Sequence, residues 1–245
     1  MSKYLPLLAL TSAPLALART PPGFIPSTSN DLIVEYTGFY PSNGVVVSRE
    51  ITIPQPRIAT TTPLNGTSYS ILMIDLDIPT NNPPETNTLL HWLQTSLTPS
   101  TQSTTFNTTS GSVRGFQLLN TTQTTPVVGY FGPNPPARIP LSHRYVQILV
   151  DTSNITEQGE AALREAAATL RGFNAESVLE EAGLEGNVVA GNWYNVTNPG
   201  SVVNATATTA GTMTVTPTAT GAGTGGIRGS LMGAVVGLGV VMVVI

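Results

Sequence analysis

The run Tyr69-Ser-Ile-Leu-Met-Ile-Asp-Leu-Asp77 constrains this chain more than any other stretch. It is apolar and β-branched, too short for a free-standing helix, and closed by Pro79, so it reads as a strand. Alternate residues of an extended chain share a face. Tyr69, Ile71, Met73, Asp75 and Asp77 then fall on one side, and Ser70, Leu72, Ile74 and Leu76 on the other. Both sides are apolar until the acids, so the strand is expected to be central and buried. Two carboxylates at its buried end need partners, because an unpaired charge is costly to bury.

Only two histidines exist in the chain, and each sits in a distinctive setting. After a proline- and asparagine-rich loop comes Leu89-Leu-His91-Trp-Leu93, read as part of a strand over Leu90–Leu97. Regular alternation places His91 with Leu93 on one face and Leu90 with Trp92 on the other. The second setting is Tyr130-Phe-Gly-Pro-Asn-Pro-Pro-Ala-Arg138 followed by His143-Arg-Tyr-Val146. Its prolines fix φ and remove donors, so 129–138 is a loop. His143–Val150 returns to strand, with His143 and Tyr145 on one face and Arg144 and Val146 on the other. Asp75, Asp77, His91 and His143 are the candidate site residues. Taken singly, the acids fit a strand-end turn accepting backbone N–H groups, and each histidine fits a structural imidazole.

Composition removes several function classes. Cysteine is absent, which excludes disulfides, thiolate zinc sites and a cysteine nucleophile. Charged residues are 10% of the chain. From Arg19 to Gly223, eight arginines face fourteen acids, a net charge of −6. No basic patch is visible, so nucleic acid is not an expected partner. Ser70 and Ser142 lack a G-x-S-x-G context, and no H-E-x-x-H spacing exists. Two histidines and two acids could hold a metal in principle, but no cofactor or metal is expected and catalysis is not.

The remaining chain reads as strands followed by helices. Asp31–Tyr36 and Val45–Ile53 are expected strands around the turn at Pro41–Gly44. Thr60–Asn65 is a polar loop. Residues 98–112 are Ser/Thr-rich and read as a loop or insert, Arg114–Leu118 is ambiguous, and Asn120–Pro126 is another loop. Glu157–Leu170 is a helix capped by Thr156, with Gly172 beyond it. Asn174 caps a second helix, Ala175–Ala182, stopped by Gly183. A turn into a last strand follows over Gly186–Tyr194.

The two ends carry targeting patterns. Residues 1–18 hold Lys3, an apolar region and Ala16-Leu-Ala18, the pattern of a secretory signal peptide. Residues 197–226 are Thr/Ala/Gly-rich, nearly uncharged and expected to be a disordered stalk. Gly221-Ala-Gly223, a polar spacer and the apolar Leu231–Ile245 fit a GPI-anchor signal, with 227–245 removed and the lipid on Gly223; Asn204 is a second conceivable attachment site. A single spanning helix needs roughly 20 apolar residues, more than this tail has. Sequons stand at Asn65, Asn107, Asn120, Asn154, Asn195 and Asn204, consistent with N-glycosylation on a secretory route.

Several of these segments together resemble the phosphatidylethanolamine-binding protein family. Asp75-Leu-Asp-Ile-Pro-Thr80 resembles its D-P-D-A-P-S motif, and Leu90-His-Trp-Leu93 the strand that follows. Tyr130–Pro136 with His143-Arg-Tyr-Val146 resembles Y-x-G-P-x-P-P…H-R-Y, and Val189–Tyr194 resembles V-A-G-N-F-F. The similarity spans 24–196, within a domain at 19–196. Leu76 and Thr80 depart from the family's proline and serine, at a segment that turns sharply in the family. The resemblance implies a mostly β fold: an antiparallel β-sandwich with one or two helices near the C-terminus. It also implies a small anion pocket lined by Asp75, His91, Gly132, Pro133, His143 and Tyr145, with Asp77 and Arg144 in support. Such a pocket takes phosphate or a phospholipid headgroup. Fungal-type members include carboxypeptidase Y inhibitors, so a serine carboxypeptidase is the alternative partner. The implied setting is the cell surface or wall, on a lipid anchor.

Overall fold

The computed structural model describes residues 19–108 and 111–198. The leader at 1–18, the tail at 227–245, Asn204, Gly223 and all but the first two residues of the stalk lie outside the described residues.

Strands β1 (Leu32–Glu35), β2 (Val46–Val47), β3 (Arg57–Thr60), β4 (Tyr69–Pro79), β5 (Thr86–Thr108), β6 (Gly111–Leu119), β7 (Ser142–Asp151) and β8 (Val188–Thr197) form one curled sheet. Its order is β1-β3-β6-β5-β4-β7-β8-β2. Neighbours are antiparallel except β2 and β8. The 23-residue β5 makes the curl possible. Its first half pairs with β4 and its second half with β6, so one strand belongs to two packed layers. At the far side Asp31 bridges Gly191 of β8. The result is a mostly β, two-layer sandwich.

Helices α1 (Glu157–Ala166) and α2 (Ala175–Glu181) cover the outer face of the β4–β7 layer. Both begin where their caps predict: Thr156 accepts from the Gly159 N–H and Asn174 from the Ser177 N–H. Such side chains satisfy donors that the helix leaves open. Gly172 and Gly183 beyond the helices have φ of +80° and +68°, a conformation glycine adopts without a Cβ penalty.

The central strand behaves as its sequence requires. Tyr69, Ile71 and Met73 face the core between the layers, with Leu32, Ile58, Tyr145 and Tyr194. Leu72 and Ile74 face the helices, with Leu163, Phe173 and Leu179. Likewise Tyr145 and Leu149 of β7 point inward while Val146 and Ile148 point to the helices.

Four local expectations are corrected. Residues 98–112 are largely strand: β5 runs through Thr108, and β6 starts at Gly111 and absorbs Arg114–Leu118. Threonine is β-branched and suits a half-exposed antiparallel strand, so a Thr-rich composition concealed a ladder. Val45–Ile53 is a strand only at Val46–Val47; Arg49–Thr52 coils into a 3-10 turn and Ile53 is exposed. Thr60, read as the start of a polar loop, instead ends the short β3, which pairs with both β1 and β6. Finally, β4 does not end at the acids but continues to Pro79 through an irregularity between Asp75 and Ile78.

Candidate functional site

The site begins with a break in β5. Met73 pairs with Trp92, yet Ile74 pairs with Leu90, so His91 is an extra residue in the ladder. Such a bulge resets alternation and re-aims side chains. Leu90 and Leu93 therefore both face the helices, while Trp92 joins the core between the layers. The expected pairing of Leu90 with Trp92 on one face is wrong for this reason. His91 is turned toward Asp75 and Tyr145.

Asp75 lies opposite Tyr145 in the β4–β7 ladder and is 1% exposed. Its Oδ1 accepts the Asp77 N–H at 2.8 Å, the strand-end turn expected of such an acid. Its Oδ2 is 2.8 Å from His143 Nδ1 and 4.0 Å from His91 Nε2. One oxygen shapes the backbone and the other sits between the two histidines.

The two rings differ in what remains open to them. His143 is fully buried, with Nδ1 on Asp75 and Nε2 3.1 Å from the Pro140 carbonyl. Neither nitrogen is left over. His91 Nδ1 meets the Phe131 carbonyl at 2.8 Å, and the Phe131 N–H donates to the His91 carbonyl at 3.2 Å. Its Nε2 is buried without a hydrogen-bond partner. The Phe131 ring lies 4.1 Å from the imidazole, centroid to centroid. Burial pushes the His91 pKa down, against the hydrogen bond to Phe131 and the nearby Asp75 carboxylate, which pull it up.

Tyr145 completes the cluster. Its hydroxyl is buried and unpartnered. It faces the Asp75 carboxylate and the Asn134 N–H without meeting either in hydrogen-bonding geometry, and burial followed by the Asp75 charge drives its pKa up.

Asp77 and Arg144 form a separate pair. Arg144 holds both Asp77 oxygens, Nε to Oδ2 at 2.8 Å and Nη2 to Oδ1 at 2.7 Å, and its backbone N–H adds a third bond. The bidentate fork is a strong form of this interaction. It locks the end of β4 to the start of β7 and leaves Asp75 to the histidines.

The 129–138 loop is anchored rather than free. Leu93 and Val128 exchange backbone hydrogen bonds, and Tyr130 donates its hydroxyl to the Thr52 carbonyl at 2.6 Å. Gly132 presses against that same turn: a Cβ there would lie 2.5 Å from Thr52 O. Gly132 thus seats the loop, and Pro133 behind it is buried. Sequence reasoning missed Phe131 and Pro140, which act through backbone carbonyls. No side-chain signal marks such a role; the proline density that holds the loop open was the nearest hint.

Of the sequons described, Asn65, Asn107 and Asn154 are exposed. Asn120 is exposed with its amide on the Thr124 carbonyl, and Asn195 lies in β8 with its amide on the Gly44 carbonyl. Among the described residues no group of three His, Asp or Glu side chains has a metal-holding arrangement. No described helix is long and apolar enough to cross a membrane.

Residues 26–194 match the sequence profile of the phosphatidylethanolamine-binding protein family. The chain is 28% identical over 202 residues to phomoidride biosynthesis cluster protein N of Talaromyces stipitatus, covering 76% of this chain and 94% of that one. Two solved structures are similar at low identity. A carboxypeptidase Y inhibitor, in complex with its cognate proteinase, is 19% identical with a TM-score of 0.49, covering 70% of this chain and 85% of that one. A phosphatidylethanolamine-binding protein from Plasmodium vivax is 20% identical with a TM-score of 0.47, covering 72% and 92%.

Proposed function

Since the chain belongs to the phosphatidylethanolamine-binding protein family, we propose that it is a non-catalytic binding protein whose pocket at Asp75, His91 and Tyr145 takes a phosphoryl group. The group is free phosphate or part of a phospholipid headgroup. The observation that carries this reading is the pair of unpartnered buried atoms, His91 Nε2 and the Tyr145 hydroxyl, beside Asp75. Leaving such groups unpaired costs about 1–3 kcal/mol each, so a ligand that satisfies both gains correspondingly. His143 has no nitrogen free to activate a nucleophile, which supports binding over hydrolysis.

Calorimetric titration with O-phosphorylethanolamine tests the reading. One saturable site is expected, weakened at least tenfold in Tyr145→Phe. Absence of any binding by wild-type protein sinks it. Inhibition of a serine carboxypeptidase by protein that binds no phosphate would move the function to the inhibitor reading.

The proposal also places the domain outside the cell, N-glycosylated and held on a GPI anchor. Support comes from the leader at 1–18, the exposed sequons and the small-residue, spacer and apolar series at 221–245. Release of the protein from intact cells by a phosphatidylinositol-specific phospholipase C is the expected outcome.

A further inference from the structure

The donor and acceptor inventory of the proposed pocket limits what can enter it. A carbonyl oxygen only accepts, so the 2.8 Å contact between His91 Nδ1 and Phe131 O puts a proton on Nδ1. In the neutral ring Nε2 is then a bare lone pair. That lone pair is buried without a partner, 4.0 Å from Asp75 Oδ2. The two acceptors thus lie side by side at the proposed site.

The elements packed against His91 supply little to offset this. Asp75 comes from β4, His143 and Tyr145 from β7, and Phe131 from the loop. Both His143 nitrogens are taken, by the Asp75 carboxylate and the Pro140 carbonyl, so neither offers a hydrogen bond to a ligand. Arg144, the nearby guanidinium, is held by Asp77. The Tyr145 hydroxyl remains as a donor, with the Asn134 N–H beside it. A fully ionised oxyanion would meet a carboxylate and an imidazole lone pair, both repulsive at short range and weakly screened inside the protein.

We infer that an oxyanion enters this pocket only together with one proton, which lodges on His91 Nε2. The inference rests on the proposed phosphoryl-binding reading and adds the form in which the site takes its ligand. Protonation turns Nε2 from acceptor to donor, gives the ligand a charge-assisted hydrogen bond, and sets an imidazolium beside Asp75. Burial disfavours the charged ring in the free protein, so the proton is absent until the anion supplies its countercharge. A phosphodiester carries no proton of its own near neutral pH, so for a lipid headgroup the proton has to be taken up by the protein.

The test is calorimetry on the full chain at pH 7.5, in buffers of different ionisation enthalpy. The probes are inorganic phosphate, O-phosphorylethanolamine and a short-chain phosphatidylethanolamine. The expected slope of heat against buffer enthalpy is one proton taken up per ligand. Affinity should fall about tenfold per pH unit above this pH, as one-proton linkage requires. Nitrogen NMR of the histidine side chains should show His91 Nε2 moving from the unprotonated to the protonated range when phosphate is added. Binding with no proton uptake overturns the inference while leaving phosphoryl binding intact. Uptake with His91 Nε2 unmoved also overturns it, and puts the proton on Asp75 or the ligand. No binding of any probe removes the underlying reading as well. Binding of the short-chain lipid with one proton taken up assigns the site to headgroups; binding of inorganic phosphate and O-phosphorylethanolamine alone, with the same uptake and the same Nε2 shift, assigns it to free phosphates. Either supports the inference.

Discussion

At Asp75 the two carboxylate oxygens have separate tasks, one holding the Asp77 N–H and the other lying between His143 and His91. The histidines consequently differ: His143 is saturated and His91 keeps one nitrogen open. This asymmetry makes a stability prediction about His91. Its pKa in the folded chain lies below the unfolded value of about 6.5, chiefly through burial. The folded state therefore binds fewer protons than the unfolded state just below that pH. His91 contributes its stability in full above about 6.5 and loses it as pH falls through the folded pKa, by at most ~1.4 kcal/mol per unit. Urea midpoints at pH 7.5 and 5.5 should separate more in wild-type protein than in His91→Gln. Equal separation would show that His91 pays no burial penalty. The candidate residues that the fold brings together here were legible in the sequence, since two histidines in two motifs left few choices. Their unequal roles were not, because Phe131 and Pro140 act through carbonyls that every residue possesses.

Among the elements, α1 depends on a close approach that propensity alone would misjudge. Gly159 in its first turn faces the carbonyl of Ala182 after α2, and a Cβ there would clash with that oxygen. Gly159→Ala gains about 1 kcal/mol in helix propensity. Overpacking a fixed contact costs ~1–3 kcal/mol, and a backbone carbonyl cannot swing aside as a side chain can. A net loss of stability is expected in a thermal melt; a rise in Tm would mean that the two helices separate easily. The helix starts themselves were legible, because Thr156 and Asn174 cap through local bonds. The β5 bulge was hidden, because it exists only as a mismatch between two strands. It appears as a jump from the Met73–Trp92 pair to the Ile74–Leu90 pair, and no property of His91 alone encodes it.

For the whole molecule, the two layers are joined covalently by β5 and laterally by buried phenols. The Tyr36 hydroxyl, beside β1, is hydrogen-bonded to that of Tyr194 in β8. Their rings meet edge to face. Burial drives both pKa values up, so the pair stays neutral across ordinary pH. Tyr36→Phe removes one partner and leaves the Tyr194 hydroxyl buried, a cost of about 1–3 kcal/mol. Unfolding followed by far-UV and near-UV signals should remain coincident in this variant, since β5 belongs to both layers. A split into two transitions would show that the layers fold separately.

The sequence by itself determined that β4 is buried on both faces, because side-chain alternation is a local property of an extended chain. It also determined the helix caps and the two motifs that hold His91 and His143. The resemblance already groups Asp75 with His143 and Asp77 with Arg144, pairs separated by 68 and 67 residues; only the tertiary structure decided which atoms of each pair meet. It likewise decided that a bulge turns His91 inward and that Thr-rich residues 98–108 complete the second layer. Register between strands is fixed by the packing of both faces at once, and no single strand contains that information.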